Sequence, residues 1–122
     1  MNKWTPGFAH RTPPPTLDIF YQGQPVAELK KEKGKFLFRY LDSFFAQSLA
    51  PLPGLPQDAR NFVTLNEMPA FFRERLPDTR RPEIRRYILA NNIDENDELQ
   101  MLAWLSKHSI TDSFELNMRP AA

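Results

Sequence analysis

The chain contains no cysteine, and it has little net charge and no long apolar run. Without cysteine there are no disulfide bonds, thiolate metal ligands or cysteine nucleophiles. A formal net charge of +1 gives no whole-chain field that would draw the protein to nucleic acid or to an anionic membrane. No stretch approaches the roughly 18 apolar residues of a membrane-spanning helix, and the N-terminus lacks the apolar core of a signal peptide. We therefore expect a soluble, cytoplasmic protein that contacts neither membrane nor nucleic acid directly.

Motifs that carry catalysis are also missing. The four glycines, at positions 7, 23, 34 and 54, form neither a GxxxxGK[ST] phosphate loop nor a GxGxxG turn. The kinase catalytic-loop Asp and the Asp-Phe-Gly metal ligand are absent. His10 and His108 have no partner at metal-ligand spacing, and the acidic run 94–98 lacks the glycine and final glutamate of a calcium loop. The sequence therefore predicts a chain that is not an enzyme, with no metal or cofactor.

Prolines are abundant, twelve in 122 residues, and they divide the chain. The run Pro13 to Pro15 favours an extended, polyproline-type arm over residues 1–15, because proline cannot donate a ladder hydrogen bond. Residues 16–122 are then expected to form one domain. Trp4 lies in the arm, and the sequence leaves open whether it contacts this domain or a partner.

Strands are predicted at both ends of the domain. Residues 17–21 and 25–30 are rich in strand formers and flank a Gln-Gly-Gln turn, which predicts a hairpin. In residues 36–40 aromatic side chains alternate, as in a third strand. Residues 113–118 alternate again and predict a closing strand.

Helices are predicted between these strands. Apolar spacing favours helices over 41–50 and 69–76. A third helix is expected to start at Pro82 and to end at Asn91 and Asn92, and a fourth to end near His108. Asp94 or Asn96 is expected to cap the last helix, with Lys107 and His108 in its final turn. Residues 51–56 read as an apolar loop, and 57–68 are ambiguous between strand and helix. This order predicts an α+β domain, a small antiparallel sheet packed with three or four helices.

Two features suggest an interaction surface. Six arginines within fourteen residues can grip a phosphate or a carboxylate-rich partner, or can simply form a solvated helix face balanced by Glu74, Asp78 and Glu83. Trp104 is either a core residue, which its apolar neighbours favour, or an exposed anchor in a protein interface. The residues expected to contact a partner are Leu52, Leu55, Phe71, Arg73, Arg75, Arg80, Arg81, Arg85, Arg86 and Trp104.

The order of several segments resembles the N-terminal subdomain of the HipA-type serine/threonine kinases. The segments are Val26-Ala27-Glu28-Leu29, Gly34-Lys35-Phe36-Leu37-Phe38-Arg39-Tyr40, the proline segment 51–56, Met68 to Asp78, and Asp97 to Leu105. They are similar to the family's V-G-E-L, G-x-F-x-F-x-Y, P-L-S-x-x-L-P, P-F-F-x-x-L-L-P-E and D-x-F-x-L-L elements. The family's next element, G-x-D-x-x-G-A, is replaced here by residues 106–113 without either glycine.

The resemblance implies a function. The chain is similar to a freestanding copy of that subdomain, as in the HipS-like small proteins of three-gene HipBST toxin–antitoxin systems. It implies an antitoxin that binds and inhibits a HipT-like kinase, with a HipB-like helix-turn-helix DNA-binding protein as a further partner in a larger complex. Two alternatives stay open: a subunit that completes or activates the kinase, and a nucleic-acid-binding accessory factor that uses the arginine cluster.

Overall fold

The computed structural model describes residues 15–106 and 113–119. Its strands in chain order are β1 (Thr16–Tyr21), β2 (Gln24–Glu32), β3 (Lys35–Tyr40), β4 (Val63–Leu65) and β5 (Phe114–Met118). Its helices are α1 (Asp42–Ala46), α2 (Ala70–Arg73), α3 (Pro82–Ala90) and α4 (Glu98–Leu105). The predicted α+β class is confirmed. Residues 1–14, with Trp4 and His10, and residues 107–112, with Lys107 and His108, lie outside the described ranges.

The strands form one antiparallel sheet in the order β4-β3-β2-β1-β5. Two-residue turns join β1 to β2 and β2 to β3. Gln22 and Gly23 have φ values of 50° and 85°, and Lys33 and Gly34 have 50° and 79°. Positive φ at both central positions matches the strand twist and is easiest when one residue is glycine. The predicted hairpin and third strand are therefore confirmed.

The two faces of the sheet differ in polarity. On one face, a single row of apolar side chains crosses all five strands. The row is Met118, Leu17, Leu29, Phe38 and Val63. Leu17, Leu29 and Phe38 have no exposed surface, and full burial of such a side chain is worth about 1.5–3 kcal/mol. On the other face the neighbouring row is polar and runs through Asn117, Asp18, Glu28 and Arg39.

The helices pack against the apolar face. In α1, the Phe44 ring stacks on Tyr40 with centroids 3.9 Å apart, and in α2 the Phe72 ring meets Phe38 edge-on at 6.1 Å. Leu99 and Leu102 of α4 complete this main cluster. The opposite side of α4 joins a second, smaller cluster, which contains Ile84, Ile88, Ile93, Met101 and Leu105. Helix α4 thus lies between the sheet and α3.

The predicted helices differ from the observed ones mainly at their ends. The predicted helix over 41–50 stops at Ala46, and Ser48 takes a left-handed φ of 52°. The helix predicted over 69–76 is one turn, Ala70–Arg73, although Leu76 still packs on the core. Helix α3 starts at Pro82 as expected. The ambiguous residues 57–68 contain the short strand β4.

The N-cap of α4 was assigned to the wrong residue. Asp97, rather than Asp94 or Asn96, is the cap, and its carboxylate accepts the Gln100 N–H at 3.1 Å. Asp94 instead accepts the Asn96 N–H at 2.9 Å, which closes a turn in the loop before the helix. A side chain can cap only the first turn that follows it, and this helix begins one residue later than a cap at Asn96 predicts and three later than a cap at Asp94 predicts.

Candidate partner-binding surface

Three of the six arginines in the cluster are paired with local carboxylates. Arg80 grips Asp78 with two hydrogen bonds of 3.0 Å, Arg81 contacts Glu83 at 2.6 Å, and Arg85 pairs with Glu95. Each of these guanidinium groups therefore already has an anionic partner within the chain. An incoming phosphate or carboxylate would have to displace that partner.

The pKa values of these acids follow from the pairing. The bidentate hydrogen bond from Arg80 lowers the pKa of Asp78 to about 2. The hydrogen bond from Arg85 lowers the pKa of Glu95. The pKa of Glu83 is lowered by its own backbone N–H and then by Arg81 and Arg86. These carboxylates stay ionised at neutral pH, so they keep screening the arginines.

The other predicted arginines are placed differently. Arg75 is 3% exposed, and its guanidinium lies 4.2 Å from the centre of the Phe71 ring. Arg73 is exposed and donates to the Met68 carbonyl at 3.0 Å. Arg86 is exposed on α3. The six arginines are therefore not gathered into one site.

Three of the predicted contact residues are buried in this chain's own core. Leu52 is 4% exposed and Phe71 is 6% exposed, and Arg75 is buried as described above. Side chains with so little accessible surface offer a partner very little contact area, so these three are weaker candidates than the exposed ones. Leu55 is half-buried against the core.

The proline loop is tied to α2, which explains why its leucines turn inward. The Phe71 N–H donates to the Pro53 carbonyl at 3.0 Å, and the Leu52 N–H donates to the Tyr40 hydroxyl at 3.1 Å. Gly54 has a φ of 80°, and a Cβ at this position would lie 2.8 Å from the Ala70 nitrogen. The loop is thus a fixed part of the core, held by close backbone approach.

Trp104 lies at the surface, contrary to the interpretation that its apolar neighbours favoured. It is 38% exposed, and its ring meets Tyr87 of α3 edge-on with centroids 6.2 Å apart. The buried residues of α4 occupy two sides of the helix, facing the sheet and α3. Trp104 falls on the remaining side. Exposed tryptophan supported by a second aromatic ring is typical of an interface anchor.

Leu89 is a further exposed apolar residue, which sequence reasoning missed. It is 71% exposed on α3. Since residues in a helix are separated by about 100°, Leu89 is displaced by about 200° from Tyr87, so it forms a feature separate from the aromatic pair. Its position off the inward stripe of Ile84 and Ile88 was a signal available in the sequence.

A cluster of charged residues on the polar face of the sheet was also missed. Glu28 is 6% exposed and accepts hydrogen bonds from Arg39, at 2.7 Å, and from Arg119. Arg119 also contacts Asp18 at 2.6 Å. Burial alone would raise the pKa of Glu28, but the hydrogen bonds from Arg119 and Arg39 outweigh it and lower that pKa. Arg119 is 101 positions from Asp18, and no local pattern in the sequence links them.

One cavity lies next to the proline loop. It has a volume of about 280 Å³ and lies between β4 and the start of α2, lined in part by Gly54, Asn66, Met68 and Arg73. Asn66 is engaged there by Lys35 at 2.8 Å. Within residues 15–106 and 113–119, no three His, Asp or Glu side chains are grouped to hold a metal ion. No helix in these ranges is both long and apolar enough to cross a membrane.

Comparison with known families supplies one match. The sequence model of the HipA N-terminal domain matches residues 17–110, which is most of the chain and all of the helices described above. No curated protein matches the chain significantly. The family match covers both Trp104 and the arginine cluster.

Proposed function

The chain belongs to the HipA N-terminal domain family, which ties it to HipA-related toxin–antitoxin systems, and we propose that it is an antitoxin that binds and inhibits a HipT-like serine/threonine kinase. In this proposal it acts by binding and without catalysis. A HipB-like helix-turn-helix protein is the further partner we infer for a larger complex.

The observation that carries the proposal is the exposed Trp104 in a domain of this family. Its ring is held against Tyr87 while 38% of the residue stays accessible. Aromatic anchors of this kind supply much of the free energy of protein association, because they bury a large area with few rotatable bonds. We therefore assign the Trp104–Tyr87 pair as the main contact with the kinase.

The arginines take a secondary part in this proposal. Because Arg80, Arg81 and Arg85 are paired with carboxylates of the same chain, a partner gains little by approaching them. The same pairing weighs against a nucleic-acid-binding role, since phosphate contacts need cations that are free to replace counterions. Complex formation with the kinase should accordingly depend weakly on salt.

The test is binding to a purified HipT-like kinase, followed by size exclusion and calorimetry. We expect Trp104→Ala to lower the affinity by about 2 kcal/mol or more, as for an interface hot spot. Thr64→Ala is the matched control, because Thr64 is exposed on the polar face of the sheet, away from the helices. The charge reversals Arg80→Glu and Arg81→Glu should change the affinity less than Trp104→Ala does.

The outcomes separate the possible roles. Wild-type binding that survives Trp104→Ala would retain the partner but discard the aromatic pair as its contact. No binding by the wild-type chain would discard the kinase as a partner. Binding with raised kinase activity would make the chain an activating subunit and contradict the antitoxin role.

A further inference from the structure

Two cations, Lys35 and Arg73, are held at the cavity between β4 and α2. Arg73 lines the cavity and donates from Nη1 to the Met68 carbonyl at 3.0 Å. Lys35 Nζ donates at 2.8 Å to Oδ1 of Asn66, which also lines the cavity. Both cations are exposed, and each has further N–H groups beyond the one used in these bonds. They can therefore donate to a ligand that enters the cavity.

The groups that hold Lys35 and Arg73 are uncharged, unlike the carboxylates that pair with the arginines at the start of α3. A backbone carbonyl and an amide oxygen accept a hydrogen bond but leave the positive charge of the donor uncompensated. Glu67 also lines the cavity, yet among the described residues neither cation has a carboxylate within ion-pair distance. Two cations and one carboxylate give the cavity a net positive charge. An anionic group can bind there without displacing a carboxylate of this chain.

The size and lining of the cavity limit the anion that it can take. Its volume of about 280 Å³ lies just below the range of about 300–1,000 Å³ that is typical of small-molecule sites. One side chain of a partner therefore suits it better than a whole ligand. Leu65, Met68 and Pro69 add apolar surface to the lining, on which the methylene groups of a glutamate can pack. A phosphate group has no such apolar part.

We propose that this cavity binds the side chain of a glutamate from a protein partner. The carboxylate accepts hydrogen bonds from Arg73 and Lys35, and the methylene groups contact Leu65. The cavity lies beside β4, at the end of the sheet away from β1 and β5, the strands that α4 contacts. It is therefore separate from the Trp104–Tyr87 pair on α3 and α4. A partner bound at the cavity leaves the aromatic pair accessible to the kinase.

The test uses the full chain and two blocked amino acids, acetyl-glutamate methylamide and its neutral counterpart, acetyl-glutamine methylamide. Each is titrated at constant ionic strength while NMR follows the backbone amide signals of Asn66 and Ala70, which line the cavity. We expect saturable shifts with the glutamate compound, and binding of the glutamine compound that is weaker by about tenfold or more. Inorganic phosphate is titrated in the same way to compare the two classes of anion.

Variants assign the binding to the two cations. Arg73→Gln and Lys35→Gln should each weaken binding of the glutamate compound by about threefold or more, and Arg73→Lys should recover part of the loss because it keeps a cation. Arg80→Gln is the matched control, since it removes a positive charge that is already paired with Asp78. Its affinity for the glutamate compound should equal that of the wild type. Both cavity cations are exposed, and the dispersion of the NMR spectrum establishes that each variant is folded.

Three results would overturn the proposal. The first is the absence of a saturable shift with the glutamate compound, or equal binding of the glutamate and glutamine compounds. The second is unchanged affinity in both Arg73→Gln and Lys35→Gln. The third is tighter binding of inorganic phosphate than of the glutamate compound, which would make the ligand a phosphoryl group. Kinase binding is measured separately through Trp104→Ala, so failure of either proposal leaves the other standing.

Discussion

Glu28 shows how a single buried charge can be a stable part of this fold. Its side chain lies on the polar face of the sheet, yet it is almost inaccessible because Arg39 and Arg119 cover it. Both guanidinium groups are partly exposed, which limits their desolvation. Because the fold lowers the pKa of Glu28, the ionised carboxylate adds more stability than the protonated one would. Removal of one cationic partner would leave a buried charge that is only partly compensated.

We expect Glu28→Gln to lower the free energy of unfolding by about 1–3 kcal/mol at neutral pH, because the charge-assisted bonds to Arg39 and Arg119 are lost. The folded-state pKa of Glu28 lies below its ordinary value of 4.5. Its contribution is therefore complete above that value and is lost as the pH falls through the folded-state pKa. Chemical denaturation at a series of pH values measures the difference between wild type and variant.

Glu115→Gln is the control for this prediction, since Glu115 is exposed on β5. It should change stability by less than about 0.5 kcal/mol. A gap between wild type and Glu28→Gln that stays constant from pH 7 down to pH 3 would show that the ionised carboxylate is not what stabilises the fold.

Among the elements, α4 connects the structural core to the proposed contact. It packs on the sheet through Leu99 and Leu102 and on α3 through Met101 and Leu105, and it carries Trp104 on its open side. The position of Trp104 therefore depends on the rigidity of a helix of only eight residues. A helix this short relies on its cap and on tertiary packing.

Removal of the cap by Asp97→Ala should lower the free energy of unfolding by about 1 kcal/mol, since the Gln100 N–H loses its acceptor. Asp97→Ser should recover most of this loss, because serine also caps well. Asn96→Ala is the matched control and should have little effect. Equal destabilisation by Asn96→Ala and Asp97→Ala, measured by urea denaturation, would refute Asp97 as the cap.

The elements also show what the sequence can predict. The strand formers in residues 17–21, the alternation in residues 36–40 and the proline at the start of α3 have local causes, and the elements that they predict are confirmed. The ends of α1 and α2 differ from the predicted ones. After α1, Ser48 takes a left-handed conformation, and in α2 the Phe71 N–H bonds to the Pro53 carbonyl. Both features depend on tertiary packing. Tertiary packing also decides which residues of the candidate site are exposed. Whether Leu52, Phe71 and Arg75 face a partner or the core is decided by the loop's attachment to α2.

At the scale of the whole molecule, the described residues form two hydrophobic clusters. The sheet and its first helices form a core that holds the proline loop in place, whereas α3 and the open side of α4 carry Leu89, Tyr87 and Trp104. The exposed Trp104 beside Tyr87 is consistent with a protein-binding surface, whereas Leu89 lies on a different side of α3.

The measurement that tests the proposed function most directly is phosphorylation by a HipT-like kinase while the purified chain is titrated in. We expect autophosphorylation and substrate phosphorylation to fall together and to reach background near equimolar chain, with Trp104→Ala requiring a large excess for the same effect. Kinase activity that stays unchanged or rises at every ratio would contradict the role of the chain as an antitoxin.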